Sequence, residues 1–341
     1  LGYPEDSAGR YMTPEYLAIK PAFTAKEAID YVRTQGRGRE TLNVLYVVDA
    51  KGVLLSDLRL SELVMADPNA LVGDLQTRAI VAIPAMAGRE EMIATFEKYD
   101  RSVLPVTDSH GAMVGIITSD DILDVASEKA TEDIQKLGGL EALEAPYMEI
   151  GLLEMVRKRG GWLAVLLSGG MLTTSAMTYF QDEMARVTFL ALLVPLIISS
   201  GGNSGSQATS LIIRALATRE LDQSDWIRVL RRELAIGGFL GSILAIIGFV
   251  RIAFWQWLYD QGFIATAYGK HFLLVGVTVG ASLIGVVLFG SVIGAMLPFG
   301  LRRLGLDPAT ASAPFVATLV DVSGVVIYFT AANMILRGTV L

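Results

Sequence analysis

The chain has 341 residues, 52% hydrophobic and 18% charged, with no Cys and only two His. These averages conceal two solvents: residues 1–161 carry 26 Asp and Glu against 17 Lys and Arg, whereas residues 162–341 carry 9 against 11. Such segregation predicts an acidic water-facing half and a membrane half, and excludes an ordinary soluble enzyme. Without Cys there is no disulfide, thiolate metal site or Cys nucleophile. HExxH is absent and no enzymatic activity is expected. An acidic balance without a basic tract excludes nucleic acid as a partner. The polar start at Leu1 predicts no signal peptide, and the lack of an initial Met suggests a piece of a longer product.

The first half repeats itself. Val44-Leu45-Tyr46-Val47-Val48-Asp49-Ala50-Lys51-Gly52 lies 59 residues before Val103-Leu104-Pro105-Val106-Thr107-Asp108-Ser109-His110-Gly111. Each unit reads as an amphipathic helix (Ala25–Arg33; Arg89–Tyr99), a β-branched strand, a turn opened by Asp and closed by Gly, a second strand and a helix. With Met12-Thr13-Pro14 and Gly115-Ile116-Ile117-Thr118-Ser119-Asp120-Asp121, this duplication resembles a tandem cystathionine-β-synthase (CBS) domain pair. The expected boundaries are 1–70 and 71–126. By that resemblance Thr118 and Asp121 would hold the ribose of an adenine nucleotide such as ATP between the repeats. Helix capping is the alternative reading of both residues. A connecting helix over 127–160, broken near Gly138-Gly139 and Pro146, leads to Arg157-Lys158-Arg159.

Residues 161–341 offer five runs long enough to span a bilayer: Trp162–Phe180, Val187–Thr209, Leu234–Leu258, Phe272–Pro298 and Thr310–Leu336. Basic residues crowd the loops on the linker side (Arg157, Lys158, Arg159, Arg214, Arg219, Arg228, Arg231, Arg232, Arg302, Arg303), against Arg186, Lys270 and Arg337 on the other. The positive-inside rule then places the N-terminal half in the cytoplasm and the C-terminus outside. Trp162, Trp226, Trp255 and Trp257, near the span ends, read as interfacial anchors.

Two spans contain residues that an anchor does not need. In the second, Pro195 is followed by Ser200-Gly201-Gly202-Asn203-Ser204-Gly205-Ser206-Gln207, where glycines and amides replace apolar side chains. Either the helix breaks or lines a pore there, or its small residues pack against another helix. In the fifth, Asp321 lies ~16 Å along a helix from Thr310, near the bilayer midplane. An ionisable group at that depth marks an ion path by default; a protonated Asp bonded to a neighbouring Ser or Thr is the alternative. Asp307-Pro308 reads as an ordinary helix start.

The CBS pair, the acidic connecting helix, five spans, the Pro195 to Gln207 motif and Pro314-Phe315-Val316-Ala317-Thr318-Leu319-Val320-Asp321-Val322-Ser323-Gly324 together resemble the MgtE family of bacterial magnesium channels over essentially the whole chain. Members usually carry a further acidic helical domain before the CBS pair, which the sequence lacks. The resemblance implies an α+β cytosolic CBS pair joined to an all-α pore domain, in a homodimer in the bacterial inner membrane. Its pore would be lined by the second and fifth spans, through Pro195, Gly201, Gly202, Gly205, Gln207, Pro314, Thr318 and Gly324. Asp321 would hold a hydrated Mg²⁺, helped by carbonyls around Ala317 and by Asn203. Potential-driven uptake is the implied function; a secondary divalent-cation transporter coupled to Na⁺ or H⁺ is the alternative. Asp120, Asp124, Glu128 and Glu132 recur every fourth residue beside Asp121 and Asp133, so one acidic helix face is expected to sense cytoplasmic Mg²⁺.

Overall fold

The computed structural model describes residues 2–75, 80–143, 145–265 and 268–339. Contacts divide the chain into two units, Leu1–Thr131 and Glu132–Leu341.

The first unit holds two three-stranded sheets of the same design. In one, β1 (Ala18–Ile19) runs parallel to β2 (Val44–Val48), which pairs antiparallel with β3 (Leu54–Arg59). In the other, β4 (Ile83–Pro84), β5 (Val103–Thr107) and β6 (Met113–Thr118) repeat that order. The helices are α1 (Ala8–Tyr11), α2 (Ala25–Gln35), α3 (Leu60–Met65), α4 (Arg89–Tyr99) and α5 (Ser119–Leu137). At two residues each, β1 and β4 are too short to show an alternating pattern.

Local chemistry fixes the hairpins. Asp49 Oδ1 accepts the amides of Lys51 and Val53, and Asp108 Oδ1 those of His110 and Ala112. Gly52 and Gly111 close the turns at φ 82° and 79°, a region that costs glycine little. The two turns then bond each other: Leu54 N–H donates to Gly111 O at 3.1 Å and Met113 N–H to Gly52 O at 3.0 Å. Tyr46, Leu54, Val103, Met113 and Ile116 fill the space between the repeats.

The second unit is helical: α6 (Leu152–Tyr179), α7 (Gln181–Arg186), α8 (Thr188–Ala217), α9 (Trp226–Asp260), α10 (Phe272–Arg303) and α11 (Ala313–Leu336). The connecting segment over 127–160 is interrupted near Gly138-Gly139, where the sequence places a break. Helix α5 stops at Leu137, where Gly139 takes φ 74°, and α6 begins at Leu152 and runs through Arg157-Lys158-Arg159 into the apolar segment.

Among the described residues four segments are long and apolar enough to cross a membrane: Phe189–Ala217, Gln223–Asp260, Phe272–Arg303 and Ala313–Leu336. The first expected span, Trp162–Phe180, lies in α6. It has the length, but Ser168, Gly169, Gly170, Thr173, Thr174 and Ser175 lower its apolar content below that of the others.

Helix α10 is the centre, packed by α8, α9 and α11. Small residues bring its backbone close to its neighbours, since apolar burial gives little drive within lipid. A Cβ on Gly205 of α8 would lie 2.9 Å from Val316 Cγ1 and 3.0 Å from the Gly290 carbonyl, and one on Gly241 of α9 2.8 Å from the Ile284 Cα. Pro298 removes the helical donor to the Gly294 carbonyl. That oxygen instead lies 2.8 Å from Thr209 Oγ1, which also reaches Gly205 O at 2.9 Å.

Candidate cation groove in the helical unit

Helix α8 is continuous through its glycines, so the expected break does not occur. Its face toward α10 and α11 carries Gly201, Gly205, Ser204 and Thr209, with Ser204 and Ser291 hydroxyls 2.7 Å apart. Gly201 meets Val286 and Val320, Gly205 meets Val316 and Gly290, and Gly324 meets Val286 and Ile198. Gly201 and Gly205 pack helices rather than line a path, because a side chain there would push backbones apart, whereas a Cβ on Gly324 would make only ordinary contacts of 3.4 Å or more. The opposite face of α8 presents Ser199, Asn203, Gln207 and Ser210, all exposed.

That polar face opens onto a groove of about 510 Å³ lined by Thr173 and Met177 of α6, by Ala191, Val194, Pro195, Ile198, Ser199, Gly202, Asn203 and Ser206 of α8, and by Ala317 and Asp321 of α11. The structure thus brings together Asp321, Asn203, Ala317, Pro195 and Gly202, five of the residues singled out from sequence. Gln207, Pro314 and Thr318 are not among the lining residues. Thr318 donates to the Pro314 carbonyl and abuts Gly169 of α6.

Asp321 is half-buried, and among the described residues it has neither a hydrogen bond nor an ion pair. No neighbouring Ser or Thr satisfies it, which removes the support for a structural protonated Asp. Pro195 contributes differently. Lacking an N–H, it leaves the Ala191 carbonyl without its helical donor, and both residues line the groove. Freed backbone at membrane depth is tolerated where it faces a cavity.

Sequence reasoning missed the share of α6. Thr173 and Met177 sit in a run that reads as one more lipid-facing helix, and only packing against α11 turns them inward. Ser199 and Ser206 were legible in principle, one turn before and three residues after Asn203 on the same face.

At the start of α11, Asp307 Oδ1 accepts the Ala309 amide at 2.9 Å, the capping role its sequence context predicts. Its other oxygen lies 2.6 Å from Lys136 Nζ, which also reaches Glu132 Oε1 at 2.5 Å. Burial by itself lowers the Lys136 pKa, but the hydrogen bonds and charges of Asp307 and Glu132 outweigh it and hold the ammonium above the ordinary lysine value. Beside this cluster Trp162 Nε1 donates to Ser312 Oγ, the N-cap of α11, and its ring stacks obliquely on Phe315. Trp162 therefore ties α6 to the start of α11, a role its place near a span end does not predict.

In the first unit, Thr118 Oγ1 donates to Asp121 Oδ2 at 2.6 Å, and the Thr118 amide points to the same oxygen at 3.3 Å. Both act in the cap of α5. Asp120, Asp124 and Glu128 are exposed, Glu132 and Asp133 half-buried. Among the described residues no three His, Asp or Glu gather closely enough to hold a metal ion. Carboxylates at every fourth position are ~6 Å apart along a helix axis and diverge from it, so the stripe is not a chelating site within one chain.

Two βαββα repeats and a helical unit with a polar groove between apolar helices define a multi-pass membrane protein with a tandem CBS pair. Family comparisons agree: a model described as MgtE, divalent cation transporter, matches residues 194–331, and a CBS domain model matches residues 72–128. The chain is 42% identical over 336 residues to the magnesium transporter MgtE of Thermus thermophilus, covering 98% of this chain and 71% of that one. It is 30% identical over 346 residues to the magnesium transporter MgtE of Bacillus subtilis, covering 99% and 71%. The chain belongs to the MgtE family, whose members are transporters and not enzymes. Among solved structures, the cytosolic domain of the Mg²⁺ channel MgtE in complex with ATP is 41% identical, covering 36% of this chain and 50% of that chain at a TM-score of 0.35. The soluble part of a magnesium transporter is 31% identical, covering 38% and 51% at 0.37.

Proposed function

We propose that this protein moves Mg²⁺ through a pore built from two copies of the groove, as a channel driven by the membrane potential. The observation that carries this reading is Asp321, a carboxylate without a protein partner among the described residues, in a groove also lined by Asn203, Ser199 and Ser206. Mg²⁺ parts with its waters reluctantly and is commonly held by one or two carboxylates with several waters kept. Two Asp321 side chains across a twofold axis match that demand, and Asn203 and the carbonyl of Ala317 are placed to bond the retained waters. Inward movement of two charges gains ~4.6 kcal/mol per 100 mV, so no ATP hydrolysis is needed.

The same reading places residues 1–126 and the connecting segment in the cytoplasm, the four apolar helices and α6 in the membrane, and the C-terminus outside, in keeping with the basic residues at one end of the helices. Cytoplasmic Mg²⁺ acts as a closing signal on the acidic face of Asp120, Asp124, Glu128, Glu132 and Asp133, bound between copies or through its hydration shell. The CBS cleft near Thr118 and Asp121 takes ATP on this reading, and a related cytosolic domain has been solved in complex with ATP.

Uptake of Mg²⁺ into proteoliposomes under an imposed potential tests the central claim. The wild type is expected to take up Mg²⁺ with no Na⁺ or H⁺ gradient, Asp321→Ala to lose flux while staying folded, and Asp307→Ala to retain some. Flux that requires a counter-ion gradient means secondary transport, and undiminished flux in Asp321→Ala overturns the groove assignment.

A further inference from the structure

Arg251 is a charged side chain of the membrane unit that lies outside the groove. Arg251 is exposed on α9 among Ile247, Val250 and Phe254, which are 59%, 58% and 54% exposed. Among the described residues no carboxylate pairs with it. A guanidinium on an apolar helix face is costly unless something anionic meets it.

The side chain is nonetheless held in one place. Arg251 Nη1 donates to Tyr268 Oη at 2.7 Å, and its guanidinium carbon lies 4.5 Å from the centre of the Trp255 ring, one turn toward the end of the helix. Tyr268 is itself fixed from two further sides. Its amide donates to Gln256 Oε1 at 3.1 Å, and its ring meets Phe189 edge-on with centroids 5.5 Å apart. Asp260 is engaged by Gln256 Nε2 at 3.0 Å. Of the five guanidinium N–H groups one is used, and the tyrosine hydroxyl, having accepted, still has its proton to give.

The depth of this arrangement follows from the helix. Arg251 lies nineteen residues beyond Arg232, or ~28 Å at 1.5 Å per residue, close to the thickness of the hydrocarbon core. Arg232 belongs to the basic end of α9, so Arg251 reaches the opposite boundary, just below Trp255, Trp257 and Tyr259. Aromatic side chains of this kind sit at headgroup level, and a long basic side chain snorkels toward it.

We propose that Arg251, Trp255 and Tyr268 form a binding site for the phosphodiester of an anionic phospholipid in the leaflet away from the Arg232 end of α9. A planar guanidinium offers two parallel donors to phosphate oxygens. Trp255 keeps the plane oriented, the Tyr268 hydroxyl supplies a third donor, and the exposed aliphatic side chains of α9 receive the acyl chains. The inference uses the membrane reading of α9 but is independent of whether the groove carries Mg²⁺.

Native mass spectrometry of the full chain, released from phosphatidylglycerol–phosphatidylcholine vesicles, tests this by counting retained lipid. Wild type is expected to retain phosphatidylglycerol over phosphatidylcholine. Arg251→Gln should lower its occupancy on the order of tenfold, the loss of charge-assisted hydrogen bonds. Arg251→Lys should fall between, because an ammonium cannot make the stacked, forked contact. Tyr268→Phe, which keeps the ring and the amide, should weaken retention by roughly threefold, one neutral donor's share. Unchanged retention in both Arg251→Gln and Tyr268→Phe overturns the proposal. So does glycerol 3-phosphate in solution displacing phosphatidylglycerol at equal concentration, which would mark a site for free anions. A shift of Arg251→Gln to a smaller assembly with lipid retention intact would mean that the arginine pairs with a second copy, and overturns it equally.

Discussion

Lys136 Nζ lies 2.6 Å from Asp307 Oδ2 and 2.5 Å from Glu132 Oε1, so one ammonium joins the last turn of α5 to the residue that starts the descent into α11. Around it the segment that follows α5 is seated on the same structure. Lys158 Nζ donates to Ala142 O at 2.7 Å, and the Leu143 amide to Gln135 Oε1 at the same distance. Lys136→Met keeps the aliphatic stem and removes the charge. It is expected to expose the bonds of residues 138–151 to limited proteolysis, several-fold faster than in wild type, while the melting of the helical unit shifts little. The pH dependence follows from the raised pKa of Lys136. The ammonium's contribution is fully present below the unfolded-state lysine value and disappears as pH climbs through the higher folded one. Protection of 138–151 should therefore persist through neutral pH and fail only in the alkaline range above ~10.4.

The glycines of α8 separate fold from function. Gly205→Ala places a Cβ 2.9 Å from Val316 Cγ1 and 3.0 Å from the Gly290 carbonyl, and backbone cannot retreat cheaply. It is expected to cost about 1–3 kcal/mol, as overpacking does, read as a lower melting temperature in detergent. Gly202→Ala meets the Ala317 Cβ at an ordinary 3.5 Å, so the fold should persist while the added methyl narrows the groove and reduces flux. Equal melting of the two variants would contradict this division.

Much of this was legible in the sequence, and the exceptions have physical causes. The 59-residue repeat, its Asp-to-Gly turns and the capping by Thr118 and Asp121 are local, set by residues within a few positions of each other. Asp321 and Asn203 stood out because lipid penalises them. Which glycine packs and which faces the groove depends on the rotation of α8 against α10, and that is fixed by Gly290 and Gly294, some 85 residues away. The inward turn of Thr173 and the Lys136 to Asp307 pair are likewise tertiary: neither contact carries a local signal. The stripe on α5 was read correctly as a periodic face, but periodicity does not make ligands converge.

Pro195 and Pro298 free one carbonyl each, with opposite consequences. Thr209 Oγ1 meets the one at Gly294, whereas the one at Ala191 belongs to a residue that lines the groove. Pro195→Ala restores the helical donor and withdraws that acceptor. Stability is expected to rise, since proline inside a helix costs ~3 kcal/mol, while Mg²⁺ flux falls. Thr209→Val should do the reverse, losing about 1–3 kcal/mol for a stranded buried carbonyl with little direct effect on the groove.

Nucleotide binding and capping can be separated at Asp121, because only the first makes ATP affinity depend on that side chain. Asp121→Asn keeps an acceptor for Thr118 and removes the negative charge from the first turn of α5, so it is expected to cost helix stability little in either case. If ribose is also read there, calorimetry on the full chain should show ATP affinity falling on the order of tenfold, the loss of a charge-assisted hydrogen bond. No heat with wild type would leave both residues with capping alone.

The acidic face of α5 leads to the sharpest distinction among modes of regulation. Asp120, Asp124 and Glu128 are exposed and lie one turn apart, and like charges so spaced repel by ~0.2–0.5 kcal/mol per pair. Glu132, next along, already has Lys136 as a counter-charge. Because no three carboxylates converge within one chain among the described residues, a Mg²⁺ ion gains most where two such faces meet across a dimer. Protection of residues 138–151 from protease should then rise with millimolar Mg²⁺ at constant ionic strength, and do so more readily at protein concentrations that favour the dimer. Monovalent salt should not substitute for it, since a diffuse cloud screens exposed charges without bridging them. The double variant Asp124→Asn with Glu128→Gln removes two repelling charges from each face. It is expected to need less Mg²⁺ for the same protection if the ion acts by screening, and to lose Mg²⁺ dependence if the ion is ligated. Protection that monovalent salt reproduces fully would establish screening, and protection that neither salt affects would leave the stripe as a solvated helix face.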